Sequence, residues 1–140
     1  MGKSIEKDVR GFINMGFGWV NPDAIQCIQT DIDGNLTVTF MDGNSRTVKK
    51  FDGMQYLVAI LDPKLGKFGE PADFANGGEF IYYVGDTGRM TIVRREAIYY
   101  VVHVQSARKE ISIRFCFKNN DTVDHLLSAK LQREFYDELY

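Results

Sequence analysis

Arginine and tyrosine supply the nearest approach to a ligand site in this sequence. Arg89, Arg94 and Arg95 flank a short apolar run and stand close to Tyr82, Tyr83, Tyr99 and Tyr100. A guanidinium grips a phosphate through paired N–H donors and an aromatic face stacks on a base, so the grouping suits an anionic, nucleotide-like ligand. On that reading Arg89, Arg94, Arg95 and Tyr99 bind the ligand. The competing reading makes the arginines a solvated strand end paired with carboxylates, and makes the tyrosines a protein-binding surface. No glycine-rich phosphate cradle leads from a strand into a helix, and Gly85-Asp-Thr-Gly88 is better suited to a hairpin turn. The protein partner is therefore preferred, with Tyr82, Tyr83, Tyr100, Phe68 and Phe74 as candidate interface residues. A second basic grouping, Arg46, Lys49 and Lys50, reads as a solvated strand end.

Other chemistry is sparse. Asp31-Ile-Asp-Gly-Asn35 resembles the start of a calcium loop, but Leu36, Val38 and Phe40 follow it and no glutamate stands at the twelfth position, so turn formation is expected and no metal. His103 falls in a candidate strand and His125 in the first turn of a candidate helix, and both read as structural or surface histidines. Cys27 and Cys116 lack CxxC or Cys/His spacing and read as buried free thiols. Nucleotide, hydrolase and zinc-protease motifs are missing, and the carboxylates are scattered over turns and helix ends. No catalytic residue and no cofactor is assigned; an enzyme with an unfamiliar site is the third-ranked reading.

Composition narrows the class. A chain of 140 residues with 44% hydrophobic side chains can bury one real core, and 13% aromatics with 13 glycines favour strands and tight turns. A formal charge of −2 argues against a surface built to hold nucleic acid. No apolar run approaches the roughly 18 residues that span a bilayer, and the charged stretch Met1 to Arg10 has no hydrophobic segment behind it, so no membrane association and a cytoplasmic location are expected.

A pattern running from Val20 to Leu61 recurs, degraded, from Val93 to Tyr136. Val20, Asp23, Ala24, Ile25 and Ile28 match Val93, Glu96, Ala97, Ile98 and Val101; after a two-residue insertion placed in the turn, Leu36, Val38 and Phe40 match Ile111, Ile113 and Phe115. The first copy reads as a strand from Ala24 to Thr30, an Asp33-Gly-Asn35 hairpin, an alternating strand at Leu36 to Phe40, an Asp42-Gly-Asn44 turn, a polar strand at Arg46 to Lys50, and a helix capped by Asp52 and ending at Leu61. Ahead of it, Gly11 to Val20 reads as a strand with a close neighbour or bulge. Pro63 to Gly78 reads as a connector, with room for a short helix at Pro71 to Asn76. Glu79 to Val84 and Arg89 to Val93 form a hairpin, Glu96 to Gln105 and Ile111 to Phe117 are strands, and Thr122 to Tyr140 reads as a helix striped by Val123, Leu126, Leu127, Leu131, Phe135 and Leu139.

Val20-Asn-Pro-Asp-Ala-Ile25, followed by the DGN hairpin, the DG turn and a capped helix, resembles the small flagellar proteins of the FlbD type over about 40 residues. That resemblance implies a protein-binding accessory and carries no catalytic residue; Pro63 to Val93 does not share it, and the second copy lacks the Asn-Pro.

The expected fold is α+β: one domain over 1–140, mostly antiparallel sheet, built from two β-meander-plus-helix units at 20–61 and 79–140 joined by a loop at 62–78. The expected function is a small non-enzymatic binding protein that occupies a macromolecular partner as adaptor, regulator or inhibitor, and self-associates as a homodimer or larger. Capture of a nucleotide-like small molecule is the runner-up.

Overall fold

Turn residues decide where each strand of this protein ends. The structure is a computed structural model that describes residues 11–51, 57, 61, 74–76, 79–86 and 88–139. Gly16 takes φ 94°, a conformation that suits glycine, and folds β1 (Ile13–Asn14) back onto β2 (Trp19–Val20). The stretch from Gly11 to Val20, expected as one strand, is therefore a short hairpin, with the Asn14 side chain accepting from Gly16 N inside the turn. Pro22–Ala24 makes a single 3₁₀ turn capped by Asn21, and the chain enters β3 (Ile25–Thr30), β4 (Leu36–Phe40) and β5 (Ser45–Val48). Asp31 closes the β3–β4 turn with its own carboxylate, accepting from Asp33 N and Asn35 N.

Phe74–Asn76 is β6, a strand paired with β7 (Phe80–Val84), where a short helix had been an option in the connector. β7 turns into β8 (Met90–Arg94), a second 3₁₀ turn spans Arg95–Ala97, and β9 (Ile98–Gln105) and β10 (Ile111–Phe117) follow. Thr122–Leu126 is a strand, β11, and the last helix, α1, is confined to Ala129–Leu139. The expected helix from Thr122 is thus corrected over its first third. Val123, His125 and Leu127 alternate inward, and a histidine at the middle position hides that period of two from a hydropathy reading.

Two sheets carry the fold, with the β1–β2 hairpin beside them. One has six strands in the order β5-β4-β3-β8-β7-β6 and the other three in the order β11-β10-β9, every neighbour antiparallel. One face of the six-stranded sheet packs Ile25, Ile28, Leu36, Val38, Tyr82 and Ile92 with Ile13 and Val20 of the hairpin and with Leu57, a helical residue. The opposite face offers Cys27 and Val93 to Ile111, Ile113, Phe115 and Phe117 of β10 and to Leu127. A register shift between Ile25 and Cys27 returns Ile25 to the side of Ile28, so both enter the first core while Cys27 faces the second. The described architecture is mostly antiparallel sheet, and its helix content is lower than the α+β class expected from sequence.

The two meanders share their turn geometry. Met41 N bonds Ala24 O as Lys118 N bonds Ala97 O; Phe40 N bonds Asn44 O as Phe117 N bonds Asp121 O; Asp31 N bonds Asn35 O as Ser106 N bonds Glu110 O. Pairing makes Ile113, Phe115 and Phe117 the counterparts of Leu36, Val38 and Phe40, two residues beyond the match made from sequence. The extra residues lengthen β9 and β10 and leave the turn unchanged. The first unit's helix, expected from Asp52 to Leu61, lies outside the described residues except for Leu57 and Leu61, which are helical.

Candidate functional site

The three arginines do not converge. Arg89 and Arg94 stand at opposite ends of β8, roughly 16 Å apart at about 3.3 Å per residue. Arg94 is 7% exposed; its Nε donates to Ile25 O at 2.6 Å, its Nη2 to Pro22 O, and its guanidinium lies over the Phe80 ring at 4.6 Å. It fastens the second hairpin to the start of β3, and its Nη1 lies 3.7 Å from the Glu79 carboxylate. Arg95 is exposed on the 3₁₀ turn. Of the three, Arg89 lines the cleft described below.

The aromatic set divides too. Tyr82 is fully buried in the first core, and Tyr83 is half-buried with its ring 5.6 Å from Phe115 and 5.5 Å from His125, so neither presents a docking surface. Phe74 sits in β6, and Phe68 lies outside the described residues. Tyr99 and Tyr100 are 73% and 52% exposed and meet edge to face at 5.4 Å. A hydrogen bond with Cys116 across the ladder pushes the Tyr100 hydroxyl above its ordinary pKa.

These tyrosines belong to β9, one of the two edge strands of the three-stranded sheet. Val101 pairs with Phe115 and His103 with Ile113, so these β9 side chains share the face that β10 buries. They are nevertheless exposed, because β10 and β11 sit over the larger sheet while β9 overhangs it. From Tyr99 to Gln105 the strand carries no proline, lysine, arginine or carboxylate. Charge and proline are the usual blocks to edge pairing, and the single irregularity lies at the Ile98 end.

The cleft, of about 400 Å³, lies between β3, the β7–β8 turn and β11, with Gln29, Asp31, Asp86, Arg89, Asp124 and His125 among its walls. Asp31 accepts from its own turn through both carboxylate oxygens; the Asn35 backbone and side-chain hydrogen bonds, aided by the nearby Arg89 charge, hold its pKa below the usual range. Asp86 accepts from Ala129 N at the start of α1, and Asp124 forms a two-point pair with Arg114 at 2.8 and 3.0 Å. No group of histidine, cysteine or carboxylate side chains among the described residues is arranged to hold a metal.

His125 was read from sequence as a helix residue of structural or surface type. It lies instead in β11, 5% exposed, with Nδ1 2.8 Å from Thr91 Oγ1 and with Nε2 lacking a hydrogen-bond partner among the described residues. Burial, then the Arg89 charge, lowers its pKa to about 4, so the ring is neutral at pH 7. The sequence signal that would have found it is the repeat itself: at the offset that pairs Phe40 with Phe117, the strand Ser45–Val48 falls on Thr122 to His125. Cys27 and Cys116 are buried free thiols, as expected, and burial pushes the Cys27 thiol up to about 11.

Comparison of the chain with protein-family models, curated proteins and solved structures finds no match. The likeness to FlbD-type proteins therefore gains no support and contributes nothing further here.

Proposed function

We propose that this protein is a non-enzymatic binding protein that occupies a macromolecular partner, and that β9 is its binding edge. The observation that carries this is an eight-residue edge strand, overhanging the six-stranded sheet, with Tyr99, Tyr100, Val101 and Val102 exposed. An incoming strand gains main-chain hydrogen bonds along such an edge, and large exposed side chains on alternating faces supply specificity. Tyrosine anchors are also enriched among the residues that dominate interface energies. A second copy of the chain can use the same edge in antiparallel pairing about a two-fold axis, which gives self-association. Its role is that of an adaptor, regulator or inhibitor. The two meanders are read as an internal duplication, supported by their shared turn hydrogen bonds. Buried free thiols fit a reducing cytoplasm, and no helix among the described residues is long and apolar enough to cross a membrane.

Sedimentation velocity tests the edge. The wild-type chain is expected to associate at high micromolar concentration, and Val101→Lys, which sets a charge in the middle of the exposed edge, to run as a monomer with unchanged circular dichroism. A wild-type monomer throughout that range, or an oligomer indifferent to Val101→Lys and to Tyr99→Ala, would overturn the role of β9.

A further inference from the structure

We propose that the cleft between β3, the β7–β8 turn and β11 binds a small zwitterion of the α-amino-acid class, its carboxylate on Arg89, its ammonium between Asp31 and Asp86, and its side chain toward His125 and Leu126. This site is separate from the β9 edge and uses none of its residues.

Three observations lead there. Arg89 is an exposed guanidinium that forms no ion pair among the described residues, and its field reaches both Asp31 and His125. A guanidinium is a two-pronged donor matched to a carboxylate. Next, His125 is a buried ring whose Nε2 has no hydrogen-bond partner among the described residues and which walls the cleft. A buried polar atom is costly to leave unbonded, and a hydrogen-bonding group in the cleft relieves that cost. The third observation is the balance of charge. Asp124 is neutralised by Arg114, which leaves Asp31 and Asp86 against Arg89 with His125 uncharged. That arrangement repels a second anionic group, so a nucleotide or polyphosphate is disfavoured, whereas a ligand with one charge of each sign finds a partner for both.

Size and shape agree. A volume of about 400 Å³ falls at the lower end of the range for small-molecule pockets, and Leu126 and Leu127 provide an apolar wall beside the polar one. Gly85 lines the cleft beside the histidine. A methyl group placed there would stand 3.8 Å from Nε2 and 3.5 Å from Leu126 O, ordinary contacts that narrow the cleft without forcing a shift.

The test is isothermal titration of the full chain with each of the twenty common L-amino acids, followed by the N-acetyl and carboxamide derivatives of any that binds, with adenosine monophosphate and inorganic phosphate as anionic probes. At least one amino acid is expected to saturate a single site. Blocking either its amine or its carboxylate should weaken binding at least tenfold, as should Arg89→Gln, a surface change that leaves the fold intact. Gly85→Ala should weaken binding while retaining the wild-type circular dichroism spectrum. Binding of the nucleotide or phosphate in preference to any amino acid, saturable binding that survives Arg89→Gln, or no binding by any member of the panel at millimolar concentration would overturn the assignment. Sedimentation of the same variants separates this result from the β9 proposal, since Arg89→Gln should leave self-association unchanged.

Discussion

Replacing Arg94 by alanine should unfold this protein more readily than any ligand role for that residue would allow. Two charge-assisted bonds join its guanidinium to backbone carbonyls, one to Ile25 O at 2.6 Å and one to Pro22 O. Each such bond is worth about 1.5–3 kcal/mol, and Ile25 is fully buried, so truncation leaves its carbonyl short of a partner. The ion pair with Glu79 adds little, because it spans 3.7 Å and the Glu79 side chain is 69% exposed. The contact with Phe80 contributes about 1 kcal/mol. The expected loss is therefore about 4–7 kcal/mol, which for a chain of this length lowers Tm by roughly 12–30 °C. Urea unfolding followed by fluorescence reads it as a lower midpoint at constant slope. Arg94→Lys keeps the charge, yet one ammonium cannot span both carbonyls as the fork does, and should cost about half as much. A midpoint for Arg94→Ala equivalent to less than about 1 kcal/mol of destabilisation would refute the reasoning, because it would mean that water replaces the guanidinium at both carbonyls without penalty.

Two further predictions concern His125 and the paired turns. His125 stays neutral in the folded protein down to about pH 4, whereas the unfolded chain protonates it near the ordinary histidine value of 6.5; stability should be full above pH 6.5 and fall by on the order of 3 kcal/mol as pH drops toward 4. Denaturation midpoints across that window should flatten in His125→Gln, and an unchanged pH profile would count against burial as the cause. Lys109 occupies φ 63° where its counterpart Gly34 takes φ 84°, so Lys109→Gly should stabilise by about 0.5–1 kcal/mol and Gly34→Lys should cost about 1–2 kcal/mol. Equal effects of the same sign in thermal melts would contradict the equivalence of the two turns.

Much of the strand framework was legible because local chemistry dictates it. The Ile111 to Phe117 strand ends where the sequence placed it, and β3, β4, β7 and β8 differ from expectation by a residue or so. Their turns are made by Asp and Asn, whose side-chain bonds act within a few residues, and by Gly, which takes the positive φ. Strand β11 was lost because Val123, Leu126 and Leu127 also fit a helical stripe, and the inward residue that breaks the tie is a histidine. The cleft was lost with it, since Arg89, Asp31 and His125 meet only through sheet packing that no local pattern reports. Arg94 reads like its neighbours in sequence and becomes structural only because β3 lies alongside β8.

The pairing of β3 with β8 also orders events in time. The chain between Pro22 or Ile25 and Arg94 must close before either carbonyl meets its guanidinium, a separation of 72 or 69 residues. Each hairpin can form early from its own turn, but the six-stranded sheet gains its central rung only after that long loop has lost its conformational freedom. On a ribosome, the first meander emerges with β3 open along one side and waits for β8 to be made. Folding should therefore be slow relative to hairpin formation, and a nascent chain released before Arg94 would carry an unpaired inner strand, with the aggregation risk that such an edge brings.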